Sequence, residues 1–114
     1  MSEDLFLKII EREIPADVVY ETDEVRAFRD INPQAPLHVL IIPKRKIRTI
    51  NELEEGDEVL VGKLFSAAKA IAAEAGLAED GYRVVMNCNA AAGQTVFHIH
   101  LHLLGGRALH WPPG

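Results

Sequence analysis

The sequence predicts an α+β domain, a five-stranded antiparallel sheet with one short N-terminal helix and one long central helix, spanning all 114 residues as a single unit. Three observations lead there. Short β-prone runs are separated by turn residues; residues 56–75 carry apolar side chains at helical spacing; and the elements follow in the order helix, three strands, helix, two strands, the order of an α+β layer on an antiparallel sheet. Hydrophobic residues make up 48% of the chain, enough for a core and too many for disorder.

Each element has a local cause. Asp4 is placed to cap a short helix through Leu5, Phe6, Ile9 and Ile10, which Pro15 stops. Val18 to Tyr20 and Val25 to Arg29 form a hairpin turning at Thr22 and Asp23, and Pro33 and Pro36 hold the next loop open. Leu37 to Ile42 is apolar on both faces except for His38, as in a central strand, and Pro43 ends it. The main helix runs from about Gly56 to Ala75 with Leu60, Leu64, Ala68, Ile71 and Ala75 on one stripe and Gly76 as its stop. Two strands, Tyr82–Asn87 and Val96–Leu104, flank the turn-prone stretch 88–94.

Composition excludes several function classes. With 12 Lys and Arg against 17 Asp and Glu, the net charge of −5 is a poor match for a nucleic-acid backbone or an anionic membrane. The longest apolar run, Val39 to Ile42, is far below the roughly 20 residues of a membrane helix. An acidic start, Met1 to Asp4, is unlike a targeting signal and points to the cytoplasm. A lone Cys88 makes neither an internal disulfide nor a cysteine zinc site, and nothing marks it as an activated nucleophile.

The most informative feature is Phe97-His98-Ile99-His100-Leu101-His102-Leu103-Leu104. In a strand, alternate side chains share a face, so the three imidazoles stand on one side, roughly 6.5 to 7 Å apart, with Phe97, Ile99, Leu101 and Leu103 on the other. Three readings suit such a face: a polar surface, a transition-metal site, or acid–base and nucleophilic chemistry on a phosphate. From Gly81 to Gly114 there is no Asp or Glu, which favours an anion over a dication. The preceding Gly93-Gln94-Thr95 adds a permissive glycine, an amide and a hydroxyl suited to phosphate oxygens.

The stretch from Gly93 to Leu104 resembles the signature of the histidine triad superfamily. Phe28 to His38, Gly105-Gly106-Arg107 and His110 to Gly114 extend the resemblance, over nearly the whole chain, to its Hint branch, the purine nucleoside phosphoramidases. Gly105-Gly106 stands where the dinucleoside polyphosphate-hydrolysing branch usually has a proline-arginine pair, which disfavours that alternative, and Thr95 stands where many relatives have Ser.

The resemblance implies a hydrolase of AMP-amine phosphoramidates acting through a covalent nucleotidyl-histidine, with no metal or other cofactor. It makes His100 the nucleophile, sets His102 and Thr95 near the leaving group, and has His98 and His38 orient the triad. It gives Asp30 to the ribose hydroxyls, Asn87, Gly93, Gln94 and Thr95 to the phosphate or its sugar, and Leu5, Phe6, Ile9, Phe28, Ile31 and Leu40 to a slot for the base. Read without it, the slot residues are equally plain core and Asp30 a turn residue. A two-fold homodimer is implied as well, the tail from His110 to Gly114, Trp111 included, lying near the partner's site. A different class of reading is a nucleotide-binding interaction module in which turnover is incidental.

Overall fold

A computed structural model describes residues 5–10 and 15–114. The elements are α1 (Leu5–Ile10), β1 (Val18–Glu21), β2 (Val25–Arg29), β3 (Leu37–Pro43), α2 (Glu58–Glu74), β4 (Tyr82–Val85) and β5 (Leu101–Gly105). All five strands join one antiparallel sheet in the order β1-β2-β3-β5-β4, so the fold class and the order of elements are as expected. The cap assigned to Asp4 lies outside the described residues. Among those described, no helix is long and apolar enough to cross a membrane.

Alternation divides the sheet into two unlike faces. Val25, Ala27, Val39, Ile41, Leu101 and Leu103 point to α2, where they bury Leu60, Leu64, Ala67, Ala68 and Ile71. Arg26, Phe28, Leu40 and Ile42 point the other way, where among the described residues a small cluster with Phe6 and Ile9 of α1 packs on them. Helix α2 starts two residues later than the periodicity predicts, because residues 55–57 form a 3-10 turn. Its far end is the predicted glycine stop: Gly76 takes a φ of +79°, the Gly76 N–H donates to the Ala73 carbonyl and the Leu77 N–H to that of Ala72. Ala75, placed on the buried stripe by spacing, is exposed at the cap instead, and Ala67 and Ala72 complete the stripe.

The last strand corrects the expectation. It begins at Leu101, five residues after Val96, because its neighbours run out: β3 pairs with it only as far as Ile41 opposite Leu101, and β4 ends with Val85 opposite His102. Residues 96–100 therefore continue outside the ladder, held by the Ile99 N–H on the Ile47 carbonyl. The alternation survives this loss, since Ile99, Leu101 and Leu103 stay in the α2 core. Phe97 departs from that face, being only half-buried beneath the Arg48 guanidinium, 5.1 Å from the ring centroid.

Leu64 is fully enclosed between α2 and the sheet. Leu64→Ala is expected to lower the unfolding free energy by about 2 to 4 kcal/mol through lost burial and a residual cavity, read from urea unfolding curves.

Candidate active site

Strands β3 and β5 lie side by side at the middle of the sheet, and this brings His38 to the triad. The His38 and His102 ring centroids are 5.2 Å apart, and those of His100 and His102 5.0 Å. Asp30, just beyond β2, stands 3.4 Å from His38 Nε2 through Oδ2, while its Oδ1 accepts the Asn32 N–H.

Backbone groups assign the tautomers, because an amide N–H can only donate and a carbonyl can only accept. His100 Nδ1 lies 2.8 Å from the carbonyl of His98, so Nδ1 carries the hydrogen and Nε2 keeps its lone pair. On the other side the Gln34 N–H donates to His38 Nδ1 at 3.0 Å, so neutral His38 holds its hydrogen on Nε2 and donates it to His102 Nδ1, also at 3.0 Å. His102 therefore carries its own hydrogen on Nε2. One ring offers a lone pair and its neighbour an N–H. His98 Nε2–H donates to the Pro43 carbonyl at 2.7 Å, and its Nδ1 is a buried atom without a hydrogen-bond partner among the described residues.

Burial keeps these rings neutral. Desolvation pushes His98 down to about 4, only partly opposed by the Pro43 carbonyl. His102 also falls to about 4, first through desolvation and then through its neighbours His100 and His38. His38 and His100 are lowered too, mainly by desolvation, with Asp30 opposing in both and the His98 carbonyl opposing in His100. At neutral pH a nucleophilic lone pair is thus available without a separate base.

A cavity of about 710 Å³ opens over these rings, within the usual range for a small-molecule site. Its lining unites His100, His102, Asp30, Asn87, Gly93 and Thr95 with the apolar residues Leu5, Phe6, Ile9, Phe28, Ile31 and Leu40. Phe6 packs perpendicular to His100, ring centroids 5.0 Å apart, and edge-on to Phe28 at 5.6 Å. His38 and His98 are buried behind the lining.

Two expected residues stand differently. Ile31, placed in the apolar slot, is 101% exposed at the rim, because it sits in the open turn between β2 and β3. Gln94 does not line the cavity at all: its Oε1 accepts the Asn89 N–H and its Nε2 donates to the carbonyls of Arg48 and Val96, so the side chain is spent inside the loop. Trp111 is 82% exposed and lies apart from this chain's own cavity. For a metal, Asp30, His38 and His102 bring one ligand atom each within 4.8 Å of one another, but the facing nitrogens of His38 and His102 already bond each other.

Residues 11–109 match the HIT domain. The chain belongs to the HIT domain family. It is 55% identical to the purine nucleoside phosphoramidase of Escherichia coli K12 over 94% of this chain and 90% of that protein. An uncharacterised HIT-like protein of Synechococcus elongatus is 58% identical over the full length of both. Among solved structures, a HIT family hydrolase of Legionella pneumophila superposes with a TM-score of 0.95 at 55% identity, covering 96% of this chain and 98% of that one.

In this HIT domain the cavity also takes in Pro15, Ala16, Asp17, Arg29 and Val96, which sequence reasoning missed. Pro15, Ala16, Asp17 and Arg29 lie in or beside ordinary strands, and Val96 is one of the apolar positions of the histidine stretch. The backbone groups that set the tautomers, the Gln34 N–H and the carbonyls of His98 and Pro43, are likewise silent, since every residue has such groups. Arg26 is different: a charge between Val25 and Ala27 in a buried strand is a visible anomaly.

The lowered imidazoles have a consequence for stability. A histidine near 4 when folded and about 6.5 when unfolded binds fewer protons in the native state between those values, so the unfolding free energy rises with pH through that window. Urea unfolding followed from pH 4.5 to 7.5 is expected to show stability climbing to about pH 6.5, the unfolded value, with the histidine contribution then level. Imidazole NMR is expected to find His98 and His102 titrating near 4.

Proposed function

We propose that this chain hydrolyses purine nucleoside 5′-phosphoramidates, cleaving the P–N bond by way of a covalent nucleotidyl-His100. The observation that carries the reading is the pairing of opposite tautomers: a free Nε2 lone pair on His100 beside an Nε2–H on His102, ring centroids 5.0 Å apart, in one cavity. The 55% identity to the E. coli purine nucleoside phosphoramidase supports the choice of substrate.

The chemistry runs in two displacements. His100 Nε2 bonds to phosphorus as the P–N bond breaks; the His102 Nε2–H donates a hydrogen bond to the leaving nitrogen, with the Thr95 hydroxyl nearby, and that nitrogen takes a proton from solvent and departs as the amine. Water then attacks phosphorus, gives up a proton to solvent and releases the nucleoside monophosphate from His100, whose Nε2 lone pair is restored. Asp30 keeps lone pairs beyond those used by Asn32 and His38, and these accept the ribose hydroxyls. Asn87, Gly93 and Thr95 hold the phosphate end, and Leu5, Phe6, Ile9, Phe28 and Leu40 enclose the base. His98 and His38 act by holding the reactive rings in place. No metal takes part in this scheme.

Two further elements of the reading are a two-fold homodimer, with Trp111 and the tail set near the partner's site, and a cytoplasmic setting. The homodimer rests on the resemblance of the tail from His110 to Gly114.

The deciding experiment is turnover of an AMP-amine in the presence of a chelator, with the same assay on His100→Ala. Wild-type activity is expected to survive the chelator, and the variant to lose about a thousandfold or more. Mass spectrometry of the quenched wild type is expected to find one nucleotidyl group on His100. Loss of activity with the chelator, or an active variant, would overturn the mechanism. Removing residues 110–114 is expected to change the ratio of kcat/KM between acyl- and amine-linked nucleotides while leaving the thermal midpoint nearly unchanged; unaltered kinetics would refute the role of the tail.

A further inference from the structure

Helix α1 supplies three side chains of the cavity wall, Leu5, Phe6 and Ile9, yet it has six described residues and rests on a small apolar cluster. A helix this short has almost no stability of its own. Its position therefore depends on whatever ties it to the sheet. The tie is Arg26 of β2, which is 4% exposed and points to the same face as Phe28. Its Nη1 donates to the carbonyl of Ile9 at 2.8 Å and to that of Ile10 at 3.3 Å, the last two carbonyls among the described residues of α1.

The burial of this guanidinium is otherwise hard to account for. Its Nε makes no hydrogen bond among the described residues, and the facing carboxylate, Glu21 Oε1, is 3.9 Å away and shared with Lys44 at 2.7 Å through its other oxygen. A buried charge left so incompletely matched costs stability unless the bonds it makes are worth more. Its hydrogen bonds among the described residues both go to α1. Through them it sets Phe6, whose ring stands perpendicular to His100 and edge-on to Phe28.

We propose that Arg26 is a positioning residue, a latch that holds α1 as the base-side wall of the cleft without touching the ligand. The latch itself rests on geometry, and its effect on a nucleotide rests on the function proposed above. His100 keeps its own tether to the His98 carbonyl whatever α1 does. Loosening the latch should therefore weaken binding of the base far more than it slows the chemical steps.

The test compares Arg26→Gln and Arg26→Lys with the wild type. NMR is expected to find contacts between the Phe6 and His100 rings in the wild type, lost in Arg26→Gln and regained in part in Arg26→Lys, whose ammonium still reaches a carbonyl. Contacts between Val39 and Leu103 across β3 and β5 report that the sheet is intact in each variant. For the Gln variant the Kd for AMP and the KM for an AMP-amine are expected to rise about tenfold, the worth of one charged hydrogen bond, with kcat changed less than about threefold. Phe6–His100 contacts that persist in Arg26→Gln overturn the latch, as does a kcat that falls with KM unchanged. Wild-type protein that binds no AMP would overturn the proposed function, while the ring contacts would still decide the latch.

Discussion

The hydrogen bond from His100 Nδ1 to the carbonyl two residues before it is the constraint on which the site depends. It exists because the ladder stops. Had β5 run back to Val96, the backbone of 96–100 would have been engaged by neighbouring strands. Instead β3 turns away at Pro43, whose carbonyl takes His98, and the carbonyl of His98 is left to take His100. Two rings are thus fixed by two backbone acceptors at the end of a sheet, and a lone pair remains on His100 Nε2.

The same arrangement governs the electrostatics. Four imidazoles crowded at the sheet would repel one another if charged, and burial already disfavours the charged form of each. Neutral rings can then hydrogen-bond in series, from the Gln34 N–H through His38 to His102, with Asp30 beside the chain. The acidic excess of the sequence lies elsewhere. Glu52, Glu54, Glu55, Asp57 and Glu58 gather at the turns leading into α2, where Asp57 is buried against Arg45 and caps the Glu54 N–H. A net charge of −5 therefore coexists with a cavity whose lining, among the described residues, carries Asp17 and Asp30 as its acids, with Arg29 paired to Asp17.

Much of this was legible in the chain. The stripe on α2, the Gly76 stop, the Thr22–Asp23 hairpin and the alternation from His98 to Leu103 follow from local periodicity and turn chemistry, and each stands where periodicity puts it to within a few residues. Asp30, Asn87, Gly93, Thr95 and the triad are gathered in or beside one cavity. What misled was the treatment of polar type as evidence of exposure. Gln94 looked like a phosphate donor because amides often are, yet its three hydrogen bonds hold the loop that presents Gly93 and Thr95. Ile31 does line the cavity, but exposed at its rim, because it sits in the open turn between β2 and β3.

Taken by itself, the sequence determined the fold class, the two faces of each strand and the chemistry available to the site, because these depend on residue type and on spacing along one element. The tertiary structure alone decided which nitrogen of each imidazole carries the hydrogen, where β5 begins, and how a six-residue helix is held over the cleft. Those outcomes rest on backbone carbonyls and amides that every residue possesses. Only the meeting of β3 with the 96–100 segment, and of Arg26 with the end of α1, singles out the few that matter.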